Sequence, residues 1–412
     1  MTATAFEIND PSVIDDPYPH YARLRENAPV HHDTALGMWV LSRHEDVAVA
    51  VRDATRFSSD LGRWSNLTGN PFNPSLRIPR RLASLLAKAP GPRVLLTTDP
   101  PDHTALRRRV SPAFTPRRIA ALEPRIRQIA ESLVDGMCAA DPSRPGDLVR
   151  DLASPLPTLV IAEMMGIPSD RVHDFKRWSD DLVNGLLTDG GTRRMLTGVA
   201  EISWFFTRTI RRRRKDPGDD LISLLVAGEG DDALTTAELV TFCVLLLVAG
   251  NETTTNLVSN AMAALLAHPE AHDRLRADPG LAAAAVEETL RYDAPGQGLL
   301  RETRVPVTFG DVTIPAGQTV LTLIASANRD PRHHTDPDTF LLERDQRTHL
   351  AFGTGIHFCI GHALARLESR VAIETLYRRL PDLAPAAPPT RINSPVLRGL
   401  RTFPVTTGTP RP

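Results

Sequence analysis

The chain has 412 residues, 24% of them charged, and a formal net charge of −1, so it carries no global positive field that would recruit nucleic acid. Three cysteines without framework spacing argue against a disulfide scaffold and for a reducing compartment. No apolar run approaches the ~20 residues that cross a bilayer, and Met1–Glu7 has neither the basic region nor the apolar core of a signal peptide, so the expected setting is cytoplasmic, with no membrane and no nucleic-acid partner.

From the N-terminus, Pro17–Glu26 and His44–Asp53 read as short amphipathic helices flanking two strand-like runs, Ala28–His32 and Met38–Ser42. Thr115-Pro116 pairs an N-cap residue with proline at the first helical position and is expected to open one helix reaching about Ala139. Further helices are predicted at 155–166, 169–188 and 192–215. The last carries Arg211–Lys215, where cations suit the negative end of a helix that stops at Pro217 better than they suit a nucleic-acid patch.

Thr235-Thr236-Ala237-Glu238 matches a capping box, and helical periodicity continues to Ala267, where His268-Pro269 ends it. Some thirty residues at ~1.5 Å rise make a rod of ~45 Å. Inside it lies Ala249-Gly250-Asn251-Glu252-Thr253-Thr254, a locally weak stretch. A mid-helix glycine costs ~1 kcal/mol against alanine, and hydroxyls compete for backbone carbonyls.

Glu288 and Arg291 follow at i, i+3 spacing, close enough to meet on one helical face. Strand-like runs return at Val305–Phe309, Val312–Ile314 and Thr319–Ile324. The expectation is a mainly α fold in one unit, 1–412, with helical bulk over 100–295 and 360–380 and a smaller β-rich lobe near 28–55 and 300–325. No Gly/Ser linker, repeat or dinucleotide-binding glycine motif interrupts it.

The most informative stretch is Phe352-Gly353-Thr354-Gly355-Ile356-His357-Phe358-Cys359-Ile360-Gly361. Its glycines at 353, 355 and 361 supply backbone freedom and remove bulk, so N–H groups can point at one sulfur while a flat ligand lies against the loop. By contrast, Cys138 and Cys243 sit in apolar helical patterns and read as core thiols. His31-His32 and His333-His334 lack a partnered cysteine or acid at ligand spacing and read as surface pairs.

The order FGTGIHFCIG, with Gly361–Glu368 after it, resembles the haem-binding signature of the cytochrome P450 family. The resemblance covers nearly the whole chain. It implies the P450 fold, with haem b (iron protoporphyrin IX) buried between the long central helix and the cysteine loop and Cys359 as the axial iron ligand. Ala249 and Gly250 are then the small pair over the distal haem face, Glu252 the acid that feeds protons, and Thr253 the hydroxyl that steadies bound O2. Phe352 belongs to the haem-contacting loop, and His103, Arg107, Arg301 and His357 match stations that bind the two propionates. Glu288 and Arg291 match a buried structural ion pair of the family.

A haem-thiolate monooxygenase that hydroxylates or epoxidises an organic substrate is the function implied, with electrons from a separate ferredoxin and ferredoxin reductase docking near Arg108, Arg109 and Arg366. The pocket wall is expected from the stretch between Phe57 and Asp99, from Val183–Met195, Leu245–Ala249, Gly296–Leu299 and Pro395–Leu397. A bulky apolar secondary metabolite such as a polyketide or macrolide suits small residues at 249, 296 and 298. The rivals are a haem-thiolate peroxygenase, which should not need the Glu252-Thr253 pair, and a non-catalytic haem-binding sensor, which would need an output domain.

Overall fold

A computed structural model describes residues 6–60, 93–139, 145–187, 192–228, 233–344 and 348–409. The capping box forms as expected: Thr235 N–H donates to Glu238 Oε2 at 2.9 Å and Glu238 N–H to Thr235 Oγ1 at 3.1 Å. It opens the central helix, Thr236–Ala267, ~48 Å long at the α-helical rise. This is also the helix long and apolar enough to cross a membrane among the described residues. Here it runs through the helical body, packed against the helices Pro155–Met164, Thr192–Lys215, Ala282–Tyr292 and His362–Arg379.

Buried Asn251 stitches the central helix to its neighbours. Its Oδ1 accepts from Thr158 Oγ1 at 2.8 Å, and its Nδ2 donates to Ser179 Oγ at 3.2 Å. Buried amides without partners are costly, so these bonds fix the helix in rotation as well as position. The arginine run ends the helix Thr192–Lys215, with Arg213 paired to Asp220 at 2.5 Å and Arg214 donating to Thr236 Oγ1 at 2.6 Å.

The segment expected as one helix from Thr115 to Ala139 is two, Pro116–Ala121 and Glu123–Ala139. Pro124 has no N–H to continue the first ladder, so it starts a second helix instead. Thr115 takes the extended N-cap conformation, but its side chain makes no capping bond.

The β-rich lobe is a five-stranded sheet in the order Val30–Asp33, Met38–Leu41, Thr319–Thr322, Leu299–Thr303, Phe57–Ser58. Met38–Leu41 and Thr319–Thr322 run parallel, with Trp39 opposite Val320, and the other pairings are antiparallel. Short strands also occur outside the expected β regions: Gly146–Asp147, Ala384–Pro385 and Pro404–Thr406 form one sheet, Thr390–Arg391 and Leu400–Thr402 another. They are too short to show alternation in the sequence.

Glu288 and Arg291 are fully buried and bidentate, at 2.7 Å between Arg291 Nη2 and Glu288 Oε1 and 2.9 Å between Nε and Oε2. Arg291 also donates to the carbonyls of Asn328, Pro337 and Thr339, while Glu288 Oε1 accepts from Leu341 N–H and Arg344 Nε. A pair whose spacing alone suits a solvated surface thus anchors the whole 328–344 segment.

Glu368, on the helix His362–Arg379, is buried, with no hydrogen-bond partner for Oε1, and burial pushes its carboxyl up to about 8. The folded chain therefore keeps this proton at pH values where the unfolded chain has released it, so stability falls as pH rises from about 4.5 to about 8. Glu368→Gln should flatten that part of the urea-stability profile. Parallel wild-type and variant profiles would show that this acid does not contribute.

Candidate active site

The cysteine loop is shaped by two left-handed glycines, Gly353 at φ 67° and Gly355 at φ 70°. A Cβ on Gly355 would lie 3.0 Å from the Arg52 carbonyl oxygen, so close packing against the helix His44–Arg52 excludes a side chain there as well. Gly361 differs, at φ −85° with nothing within 4 Å of where a Cβ would sit, so neither torsion nor protein contact demands glycine. The loop closes with Cys359 N–H donating to the Phe352 carbonyl at 2.9 Å. The N–H groups of Gly361 and His362 donate to the Cys359 sulfur.

Burial pushes the Cys359 thiol up, and those two N–H groups with Arg107 and Arg366 act against it. Cys243 is the contrast, deep in the core with its thiol pushed up to about 12 by burial. Only Cys359 has both donors and cations aimed at its sulfur, the arrangement that favours a thiolate ligand once a metal cation is present.

Next to the sulfur is a set of basic groups with no ion pair to an acid among the described residues; the nearby acid, Asp99, is itself paired with Arg304. His103 is 1% exposed, and both its ring nitrogens are without hydrogen-bond partners. His357 lies across from it at 4.2 Å between ring centroids, with Nε2 likewise unpartnered. Burial, then the neighbouring His103 and Arg301, lowers His357 to about 3. Arg301 is buried, held down to about 10 by burial, and donates to the Leu300 carbonyl, with no salt bridge to it among the described residues. Arg107 is held down by burial and faces Cys359. Orphaned buried donors are rare in finished interiors, and this group fits two carboxylates arriving together. The cradle therefore suits the propionates of haem, and the four basic residues are brought together as expected.

On the central helix, the structure divides Ala249 from Gly250. Ala249 is exposed toward open space, whereas a Cβ on Gly250 would meet Ile161 Cδ1 at 2.7 Å, so this glycine serves helix–helix contact on another face. Thr253 donates its hydroxyl proton to the Ala249 carbonyl at 2.5 Å. Glu252 is nearly buried, and burial raises its carboxyl; its side chain shares a hydrogen bond with Asp180, which Lys176 contacts in turn. Asp180 and Lys176 are both about two-fifths exposed, at 41% and 36%, so this chain of groups leads from Glu252 to solvent. Sequence reasoning missed Asp180; its i, i+4 spacing from Lys176 was the available signal.

Two expected wall segments meet: Gly296 bridges to Leu397, and Gln297 N–H donates to the Val396 carbonyl at 2.9 Å. A Cβ on Gly296 has nothing within 4 Å, but one on Gly298 would lie 2.8 Å from the Thr322 carbonyl. Gly298 therefore answers to the sheet, and its small size adds nothing to the pocket. Leu182, Met195, Val244 and Val248 form a separate apolar cluster joining two more wall segments. The expected lid residues Trp64, Phe72, Arg80, Arg81, Leu82, Leu85 and Leu86 lie outside the described residues.

Arg366 is not a free docking cation, since it pairs with Glu287 and its guanidinium lies 4.4 Å from the centre of the Phe352 ring. His334 is also not at the surface: it is 4% exposed, in contact with His333 and His44.

A family model described as cytochrome P450 matches residues 199–279 and 280–393. The chain is 41% identical over 406 residues to cytochrome P450 107B1 of Saccharopolyspora erythraea, covering 97% of each. To the cytochrome P450 monooxygenase PikC of Streptomyces venezuelae it is 42% identical over 399 residues, covering 95% of this chain and 91% of PikC. The solved structure of cytochrome P450 CYP109Q5 from Chondromyces apiculatus superposes with a TM-score of 0.84 at 39% identity, covering 98% of both chains. On these similarities, with the cysteine loop and the basic cradle beside it, the chain belongs to the cytochrome P450 family and is a haem-thiolate monooxygenase.

Proposed function

We propose that this monooxygenase oxidises a bulky, mostly apolar secondary metabolite of polyketide or macrolide type in the cytoplasm, drawing electrons from a separate ferredoxin and its reductase. The observation that carries the substrate class is the pair of small residues at two expected wall positions, Ala249, which is exposed, and Gly296, where nothing lies within 4 Å of where a Cβ would sit. Two relatives support it. Erythromycin C-12 hydroxylase of Saccharopolyspora erythraea is 39% identical over 394 residues, and an EryK mutant solved in complex with erythromycin B has a TM-score of 0.82 at 36% identity. The first is named as a hydroxylase, an oxygen-inserting enzyme, which favours this reading over a peroxygenase or a sensor.

Cys359 would hold haem through its thiolate, and the bound group would supply the oxygen-activating chemistry that a thiolate ligand favours. His103, Arg107, Arg301 and His357 would hold the propionates, and Phe352 packs at the loop under the guanidinium of Arg366. Burial raises the Glu252 carboxyl, which favours its holding a proton for delivery, and Asp180 with Lys176 forms the route by which a proton is returned from solvent. Thr253 has committed its own proton to the Ala249 carbonyl, so its oxygen lone pairs are what it offers the cavity, and it accepts a hydrogen bond there. An acidic ferredoxin would be steered by salt-sensitive attraction to the face where Arg108 is exposed, with Arg109 next to it in sequence.

Thr253→Ala should still bind substrate and consume reducing equivalents, while product per electron drops roughly tenfold or more and peroxide rises. Equal coupling in wild type and variant would leave the hydroxyl a structural role only. The substrate class is tested by titrating macrolides, polyketides and long-chain fatty acids into the holoenzyme and following the haem absorption band. Shifts with the first two classes, and turnover that requires reduced ferredoxin, are expected. Tight fatty-acid binding with no response to any macrocycle, or equal turnover on peroxide alone, would overturn the proposal.

A further inference from the structure

We propose that His44, His333 and His334 form a binding site for a divalent transition-metal ion of the zinc type, separate from the haem site. The three residues come from opposite parts of the chain, yet their ligating atoms all lie within 4.8 Å of one another. One residue sets up all three. The Asp330 carbonyl accepts the N–H groups of His333 at 3.0 Å and His334 at 2.9 Å, and Asp330 Oδ2 accepts the N–H of His44 at 2.9 Å, where the helix His44–Arg52 begins.

Two of the three rings, His44 and His334, already leave a buried nitrogen free of hydrogen bonds. His44 shares a hydrogen bond with the backbone of Thr348, while its Nε2 is buried and without a partner. A backbone carbonyl on one imidazole nitrogen fixes the tautomer and leaves the lone pair on the other, the usual support of a metal-binding histidine. His334 is 4% exposed, and its Nε2 is also buried and unpartnered. Two orphaned imidazole nitrogens in one place need a reason.

His333 is the exposed member and stacks on His44 at 3.4 Å between ring centroids and 8° between planes. Two stacked rings cannot both aim a lone pair at one ion, so His333 must turn off the stack to complete the site. Being exposed, it has room to do so. Arg291 and Arg344 face His334 but are already paired with Glu288, and Arg332 with Asp330, so the local positive charge is largely compensated. Three imidazoles suit zinc, copper or nickel rather than magnesium or calcium, and leave a fourth position for water. A bound ion would fasten the helix His44–Arg52, whose end packs against Gly355, to the segment held by Arg291.

The test uses untagged holoenzyme, stripped with chelator, equilibrated with zinc sulfate and gel-filtered, with zinc and haem counted per chain. About one zinc per chain is expected for wild type, with a zinc-dependent rise in melting temperature. His333→Ala, at the surface, should weaken zinc binding at least tenfold by calorimetry. His334→Phe, which refills the buried space, should do the same, and the His31→Ala, His32→Ala double variant should bind as wild type does. No zinc uptake by wild type, wild-type affinity in both His333→Ala and His334→Phe, or an equal loss in the His31/His32 control would overturn the site.

Discussion

Cys359→Ala is expected to remove the red-shifted Soret band of the ferrous carbonyl complex and to bring product formation to background. The reason is local: among the three cysteines only Cys359 has two backbone N–H donors and two arginines directed at its sulfur, at the mouth of a loop bent by Gly353 and Gly355. Without the thiolate, the electron push that favours O–O cleavage is lost. The basic cradle of His103, Arg107, Arg301 and His357 is untouched by the substitution, so some haem should still be retained, and the spectral change is separable from simple loss of cofactor. A carbonyl spectrum identical to wild type would mean that another residue ligates the iron and would sink the assignment.

Glu288→Ala is expected to be the most damaging substitution for stability. Removing one member of a fully buried pair leaves an uncompensated charge, here the Arg291 guanidinium, at about 3–5 kcal/mol. The partners of Leu341 N–H and Arg344 Nε disappear with it. For a chain of this length that loss corresponds to a melting temperature lowered by roughly 4–6 °C, with haem content per chain falling as the 328–344 segment loosens. Arg291→Lys should be nearly as harmful, because an ammonium cannot make the bidentate pair and also reach the Asn328, Pro337 and Thr339 carbonyls. Melting within about 1 °C of wild type in both variants would show that the pair is dispensable.

Features encoded over a few neighbouring residues were legible in the chain itself. The capping box at Thr235 and Glu238, the helix end at Ala267 and the clustered glycines and aromatics before Cys359 all depend on interactions within four or five positions, and each is found where expected. Even local signals had limits. Pro124 broke a helix expected to be continuous, and Glu288 with Arg291 shows the spacing of an ordinary surface pair, its burial being set by carbonyls some forty residues later.

What only the tertiary structure decided is which side chains meet across long stretches of chain. Asp180 next to Glu252, Asn251 between Thr158 and Ser179, and His44 against His333 and His334 join segments whose separation leaves no periodic trace. The glycines make the same point: Gly250 is small because of Ile161 and Gly298 because of the Thr322 carbonyl, while Gly296 is open. A single sequence records that a residue is small, basic or acidic; the direction it faces, and therefore whether it packs, pairs or binds, is set by the packing of elements far apart along the chain.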